Sequence, residues 1–281
     1  MRVIQEAEGF KVGGVNINNI CFADDTVIIA DSQEKLQHIL DTINQKSEEL
    51  GLRINISKTK CMVVSKKNEK PRCNLVINNE PIEQVPNFNY LGSIIEENAK
   101  CDMDIRKRIA IAKNAFTGMK NLLTNSHISI ATRKRAVKTF VWSVLLYGME
   151  AWTINGRMVQ RLEAMEMWCW RRVWKIPWTA RITNNQVLER MGTTRELMTH
   201  IRRRQMKFLG HVMRREKIES VVMTGRIDGT RDRGLQREKY MDGIVRATGN
   251  GWTAGRMLQA TKDRHLWFSM TANIRSDTAH R

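Results

Sequence analysis

The sequence predicts an α+β protein: short antiparallel hairpins with one helix, followed by a mostly helical body. Three observations carry that expectation. Before residue 97 the apolar runs are short and β-rich, and turn dipeptides such as Gly13-Gly14 and Asn78-Asn79 separate them. After Glu97 the apolar residues recur at helical spacing. The charge changes as well: residues 1–65 hold seven basic and nine acidic groups, whereas the 281-residue chain carries a net charge of +18.

Taken in order, residues 9–17 (GFKVGGVNI) read as strand, turn, strand. Residues 18–22 and 26–30 form a hairpin around a tip at Ala23-Asp24-Asp25. Ser32 offers a side-chain oxygen to the first turn of a helix. Leu36, Ile39, Leu40, Ile43 and Leu50 make that helix's apolar face, and Gly51 ends it. A strand at 61–65, a polar stretch at 66–74, a hairpin turning at Asn78-Asn79 and a strand pair near Tyr90-Leu91-Gly92 follow. Ile105, Ile109, Ala112, Phe116, Met119 and Leu123 then mark an amphipathic helix. A more apolar helix over 129–149 carries Phe140, Val144, Leu145 and Tyr147, and a third spans 156–174, broken by Pro177. Thr193 and Glu196 have the spacing of a capping box opening a helix to about Arg215. Residues 225–238 read as a Gly- and charge-rich linker, and 239–281 as weaker helices.

The basic balance, 47 Lys+Arg against 29 Asp+Glu, points to a polyanionic partner. No run approaches the ~18 apolar residues of a membrane span, and the N-terminus has no apolar signal core. Cys21, Cys61, Cys73, Cys101 and Cys169 include no C-x-x-C pair, so neither zinc nor a disulfide framework is expected. An intracellular place, cytoplasm or nucleus, is the corresponding expectation.

Two adjacent carboxylates, Asp24 and Asp25, repel each other unless a cation sits with them. Mg²⁺ takes one or two carboxylates plus substrate phosphate oxygens. Two such ions can clamp the attacking and leaving oxygens of a phosphoryl transfer. A solvated turn is the competing reading, since Asp is common in turns.

The neighbouring residues bear on that choice. Phe22-Ala23-Asp24-Asp25 resembles the F/Y-A-D-D motif of reverse transcriptases. Residues 22–63 resemble the palm segment of reverse transcriptases from non-LTR (LINE-type) retrotransposons. They include Gly51-Leu52-Arg53-Ile54-Asn55-Ile56-Ser57-Lys58-Thr59, similar to that family's G-L-x-I/L-N-x-x-K-T segment. NYLGSII (89–95) resembles its primer-grip hairpin, and residues 100 to about 215, with LLYGMEAW and FLGHVMRRE, its thumb and C-terminal region.

The resemblance implies an incomplete palm with primer-grip hairpin over 1–97, a helical thumb-like domain over 98–192 and a basic C-terminal region over 193–281. It implies that Asp24 and Asp25 hold catalytic Mg²⁺ (or Mn²⁺), that Lys58 lies near the incoming deoxynucleoside triphosphate, and that Tyr90, Leu91 and Gly92 grip the primer. RNA template and DNA primer are the implied partners, and RNA-directed DNA synthesis the implied activity. The family draws a third carboxylate from an earlier strand. Only Glu6 and Glu8 are acidic before Asp24, so this polypeptide is expected to be inactive alone. The alternative is a non-catalytic nucleic-acid-binding protein derived from a retroelement.

Arg106, Arg108 and Lys113 on the first helix of the body, and Arg202, Arg203, Arg204 and Lys207 on the helix ending near Arg215, are the expected phosphate contacts. Trp168 shares a stripe with Leu162 and Met165 and is expected in the core; core is also favoured for Trp170 and Trp174.

Overall fold

The computed structural model describes residues 8–65, 67, 69–177, 179–224, 239–249 and 251–274. The chain forms two compact units, residues 1–100 with 217–233, and residues 101–216 with 234–281. The linker expected at 225–238 lies outside the described residues.

In the first unit, turn chemistry sets the hairpins. β1 (Phe10–Val12) and β2 (Val15–Ile17) join through Gly13-Gly14, with φ of 55° and 82°. Positive φ at both loop positions is the type I′ twist that suits right-twisted strands. β3 (Asn19–Phe22) and β4 (Asp25–Ile28) pair with Phe22 opposite Asp25. α1 (Gln33–Glu49) begins where the Ser32 side chain accepts from Lys35 N at 3.3 Å. It ends with Gly51 N bonded to Glu48 O (2.9 Å) and Leu52 N to Ser47 O (2.8 Å), a Schellman motif that needs Gly51 at φ 72°. Leu50 therefore stands beyond the last turn, 78% exposed, and is not on the buried face as expected.

β5 (Lys60–Cys61) runs parallel to β8 (Glu83–Gln84); the strand expected over 61–65 is cut to its start. β6 (Val76–Ile77) and β7 (Glu80–Pro81) turn at Asn78-Asn79, φ 50° and 66°. The Gln37 side chain on α1 donates to Val76 O (2.8 Å) and accepts from Val76 N (3.0 Å), serving as a strand's partner. β9 (Asn87–Tyr90) and β10 (Ser93–Glu96) close through Leu91-Gly92. Leu40, Cys61, Cys73, Leu75, Ile77 and Ile82 make a small core. Among the described residues every sheet has only two strands, and Phe10, Val15, Ile20 and Phe22 remain exposed.

The second unit is helical. α2 (Asp102–Gly118) and α3 (Lys120–Leu123) bury Ile105, Ala112, Phe116 and Leu123. The helix expected over 129–149 is three pieces: α4 (Ile130–Ala136), a π-helical turn (Val137–Val141) and α5 (Trp142–Leu145). The extra residue in the π turn shifts the face that follows. Val137, Val141, Trp142 and Leu145 go inside, and Phe140 and Tyr147 go to the surface. α6 (Gly156–Val173) buries Met158, Leu162, Met165, Cys169, Trp170 and Val173, and ends before Pro177. α7 (Asn184–Met191), not expected from the sequence, has a capping box between Thr183 and Gln186.

The capping box expected for α8 (Leu197–Arg215) does not form. The Glu196 carboxylate binds Lys138 and Thr193 instead. The first backbone N–H groups, of Glu196 and Leu197, donate to Glu166 Oε1 on α6 at 2.9 and 3.2 Å. Leu197, Met198 and Ile201 share one interior with Phe116, Trp142 and Trp170, so the residues on either side of the expected 192/193 boundary have a common core. α9 (Ile218–Thr224) belongs to the first unit. α10 (Tyr240–Thr248), α11 (Ala254–Ala260) and α12 (Arg264–Ala272) complete the second, where Trp267 Nε1 donates to Met206 O at 2.9 Å. Among the described residues no helix is long and apolar enough to cross a membrane.

Candidate functional site

The β3–β4 loop is two residues, Ala23 and Asp24, and Asp25 is the first residue of β4. Ala23 has φ 54°, a left-handed conformation that disfavours a Cβ. A bond from Ile29 N to Asn18 O (2.9 Å) extends the ladder behind it. Asp24 and Asp25 are both exposed, and among the described residues neither pairs with a cation. Two hard carboxylate donors at an open tip suit Mg²⁺, which keeps its other positions for water and phosphate. Among the described residues no group of three His, Cys, Asp or Glu side chains could hold an ion.

Lys58 lies on a separate loop of the same unit. Asn55 shapes that loop, its Oδ1 accepting from Lys58 N (3.1 Å) and Ser57 Oγ (2.7 Å). The Lys58 side chain is exposed. Tyr90 is half-buried opposite Ser93, and Leu91 (φ 49°) and Gly92 (φ 82°) form an exposed loop. The structure thus sets Asp24 beside Asp25, while Lys58 lies on another loop of that unit and Tyr90 ends β9 at the Leu91-Gly92 turn.

The expected phosphate contacts divide differently. Arg106 and Lys207 are exposed. Arg108 is buried, its guanidinium 4.3 Å from the Tyr147 ring centroid, and Arg202 is buried with Nη1 donating to Gln205 Oε1 at 2.8 Å. Neither reaches the surface as expected, because each falls on the inward side of its helix. Arg203 donates to Ala272 O (3.0 Å) at the end of α12, and Arg204 binds Glu150. Lys113 is half-buried beside the Trp168 ring.

Other cations do the same job as Arg203. Arg133 Nη1 reaches Val173 O (2.9 Å), Lys134 reaches Gly192 O (3.1 Å) and Arg214 reaches Thr261 O (3.0 Å), each a carbonyl at a helix C-terminus. The last carbonyls of a helix lack intrahelical donors and carry the negative end of its dipole, so a cation there is favourable.

Glu166 was not anticipated. It is almost fully buried, and burial pushes its carboxyl up to about 7, against the two backbone N–H groups that favour the carboxylate. A lone acid inside the apolar run Met165–Trp170 was the signal for it. Trp170 is fully buried and Trp174 is 38% exposed. Trp168, expected in the core, is only half-buried.

Residues 2–95, which contain the paired aspartates, Lys58 and the Leu91-Gly92 turn, match a family described as reverse transcriptase (RNA-dependent DNA polymerase). An uncharacterized transposon-derived protein of Caenorhabditis elegans is 30% identical over 214 residues, covering 73% of this chain and 75% of that protein. No solved structure matches.

Proposed function

This chain belongs to the reverse transcriptase (RNA-dependent DNA polymerase) family as a transposon-derived member, and on that premise we propose that it is part of the RNA-directed DNA polymerase of a non-LTR (LINE-type) retrotransposon. The observation that carries the proposal is the exposed pair Asp24-Asp25 at a hairpin tip inside the matched span, which meets no cationic side chain among the described residues. In this reading the pair holds Mg²⁺, which supplies charge neutralisation at the reacting phosphate. Lys58, exposed on its own loop, places an ammonium for the triphosphate of an incoming deoxynucleotide. Tyr90, Leu91 and Gly92 hold the DNA primer end against an RNA template. Arg106, Lys113 and Lys207 contribute sequence-independent phosphate attraction.

The donor set among the described residues calls for a further carboxylate from outside them. The test is deoxynucleotide incorporation on a primed RNA with Mg²⁺ or Mn²⁺, by the polypeptide alone and with a palm strand bearing that carboxylate supplied in trans. Incorporation is expected only in the second case and is expected to vanish in Asp24→Ala. Incorporation that survives both Asp24→Ala and Asp25→Ala overturns the assignment. The same partial donor set favours a second reading, a non-catalytic nucleic-acid-binding protein derived from a retroelement; incorporation in neither case, with nucleic acid still bound, would select it.

A further inference from the structure

The helical unit contains a cleft of about 1150 Å³ whose walls come from the C-terminal half of α2, the start of α3, the C-terminal half of α6 and the chain that follows it. Its lining holds five cationic side chains, Lys120, Arg171, Arg172, Lys175 and Arg195, against one carboxylate, Glu163. Two of the five are engaged: Arg195 pairs with Glu163 at 2.8 Å, and Arg171 donates to Ile182 O (2.7 Å) and Asn184 Oδ1 (2.9 Å). Lys120, Arg172 and Lys175 are exposed and make no ion pair among the described residues. They differ from Arg203, Arg204 and Arg214 of α8, which are tied to backbone carbonyls and a carboxylate of the fold.

A large aromatic ring stands among these cations. Trp168 meets Phe116 edge-on, ring centroids 5.1 Å apart at 69°, and the Arg172 guanidinium lies 4.5 Å from the Trp168 ring centroid. Its helix neighbours Met165, Cys169 and Trp170 are at most 2% exposed, so this indole alone on that stretch is kept half in the cleft. An indole with a guanidinium over it is a flat, positively charged platform. Thr117, Asn121, Thr124 and Gln160 add neutral hydrogen-bonding groups to the walls.

We propose that this cleft binds a segment of single-stranded nucleic acid, with a base stacked at the Trp168–Arg172 platform and phosphates on Lys120 and Lys175. Flat π-surfaces interleaved with cations are how sequence-tolerant single-strand sites are built. A duplex keeps its bases stacked on one another and gains nothing from such a platform. The cleft exceeds the ~300–1,000 Å³ of small-molecule sites, which favours a run of nucleotides over a single free one. The inference rests on the reading of the chain as a nucleic-acid protein, but not on the paired aspartates.

The test is fluorescence anisotropy of the full chain with short labelled oligo(rU), oligo(dT) and a duplex of equal length, in wild type and in the combined variant Lys120→Ala, Arg172→Ala, Lys175→Ala. Wild type is expected to bind a single strand; the two oligomers show whether RNA or DNA fills the cleft. The variant is expected to lose about 10–100-fold in single-strand affinity, and the slope of log affinity against log salt should fall by about 1.4, at roughly 0.7 for each of the two phosphate contacts. Duplex affinity and the thermal midpoint should not move. An unchanged single-strand affinity, or an equal loss for duplex, overturns the proposal. Wild type that binds duplex but no single strand sinks this inference alone, whereas wild type that binds neither sinks the nucleic-acid reading with it. Lys207→Ala on α8 is the control and is expected to affect strand and duplex alike.

Discussion

The hairpin unit and the helical unit use the same residue types in opposite ways. In the first, Phe22 is 63% exposed and Asp24 and Asp25 stand in the open beside it. In the second, Phe116 is 1% exposed, and Glu166 and Arg133 are drawn inward onto backbone groups. The difference teaches that net charge overstates a binding surface. Arg133, Lys134, Arg203 and Arg214 of the helical unit close helix ends, and Lys120, Arg172 and Lys175, which stay open, line the cleft. The hairpin unit leaves Asp24 and Asp25 exposed because they sit at the tip of a two-stranded sheet with no interior behind it.

The largest expected effect tests burial directly. Phe116→Ala should cost the helical unit about 3–5 kcal/mol, by lost transfer energy and a cavity. Phe22→Ala should change the hairpin unit by no more than about 0.5 kcal/mol, since its ring is already in solvent. Hydrogen exchange, read unit by unit, measures both. Equal costs would abolish the contrast.

Next comes Glu166. Its folded carboxyl titrates at about 7, above the ordinary 4.5, mainly through burial. The folded state therefore binds more protons between those values, and stability falls as pH rises through that window. The stability is fully present below about 4.5 and lost above about 7, a difference of roughly 3 kcal/mol. Glu166→Gln keeps an acceptor for Glu196 N and Leu197 N and should flatten that slope in denaturant unfolding followed by tryptophan fluorescence. All eight tryptophans lie beyond residue 141, so this signal reports the helical unit. A variant with the wild-type slope would show that Glu166 is already ionised in the folded protein at low pH.

Arg133 and Lys207 separate structural from open cations. Arg133→Ala should destabilise by about 1–3 kcal/mol, because Ile128 O and Val173 O lose a charged donor. Lys207→Ala should stay within about 0.5 kcal/mol. Thermal unfolding compares them, and similar values would mean that the helix-end contacts contribute little.

The smallest effect should be shared by the two units. Ser32→Ala and Thr183→Ala each remove an N-cap acceptor, at about 1 kcal/mol apiece. Circular dichroism of each variant through a urea titration reads the loss. A much larger cost for Ser32→Ala would mark the hairpin unit as the weaker of the two.

Features that rest on a few adjacent residues were legible without coordinates. Gly13-Gly14 and Asn78-Asn79 turn where turns were expected, Ser32 and Gly51 begin and close α1, and the spacing from Ile105 to Leu123 marks a buried face. The pairing of Asp24 with Asp25 at a hairpin tip belongs to this group, as the register around them is local. Such features depend on φ preferences, caps and periodicity, all settled within a turn or two of chain.

Tertiary structure alone decided which long-range partner each group received. The α8 N-terminus is satisfied by Glu166, thirty residues earlier, not by the nearby Thr193. β5 pairs in parallel with β8, more than twenty residues on. Arg108 and Arg202 go inside while Lys120, Arg172 and Lys175 stay out. A chain can read locally where its acceptors and cations are. Which of them meet depends on how apolar faces pack, since every buried donor or acceptor takes whatever partner that packing brings within reach.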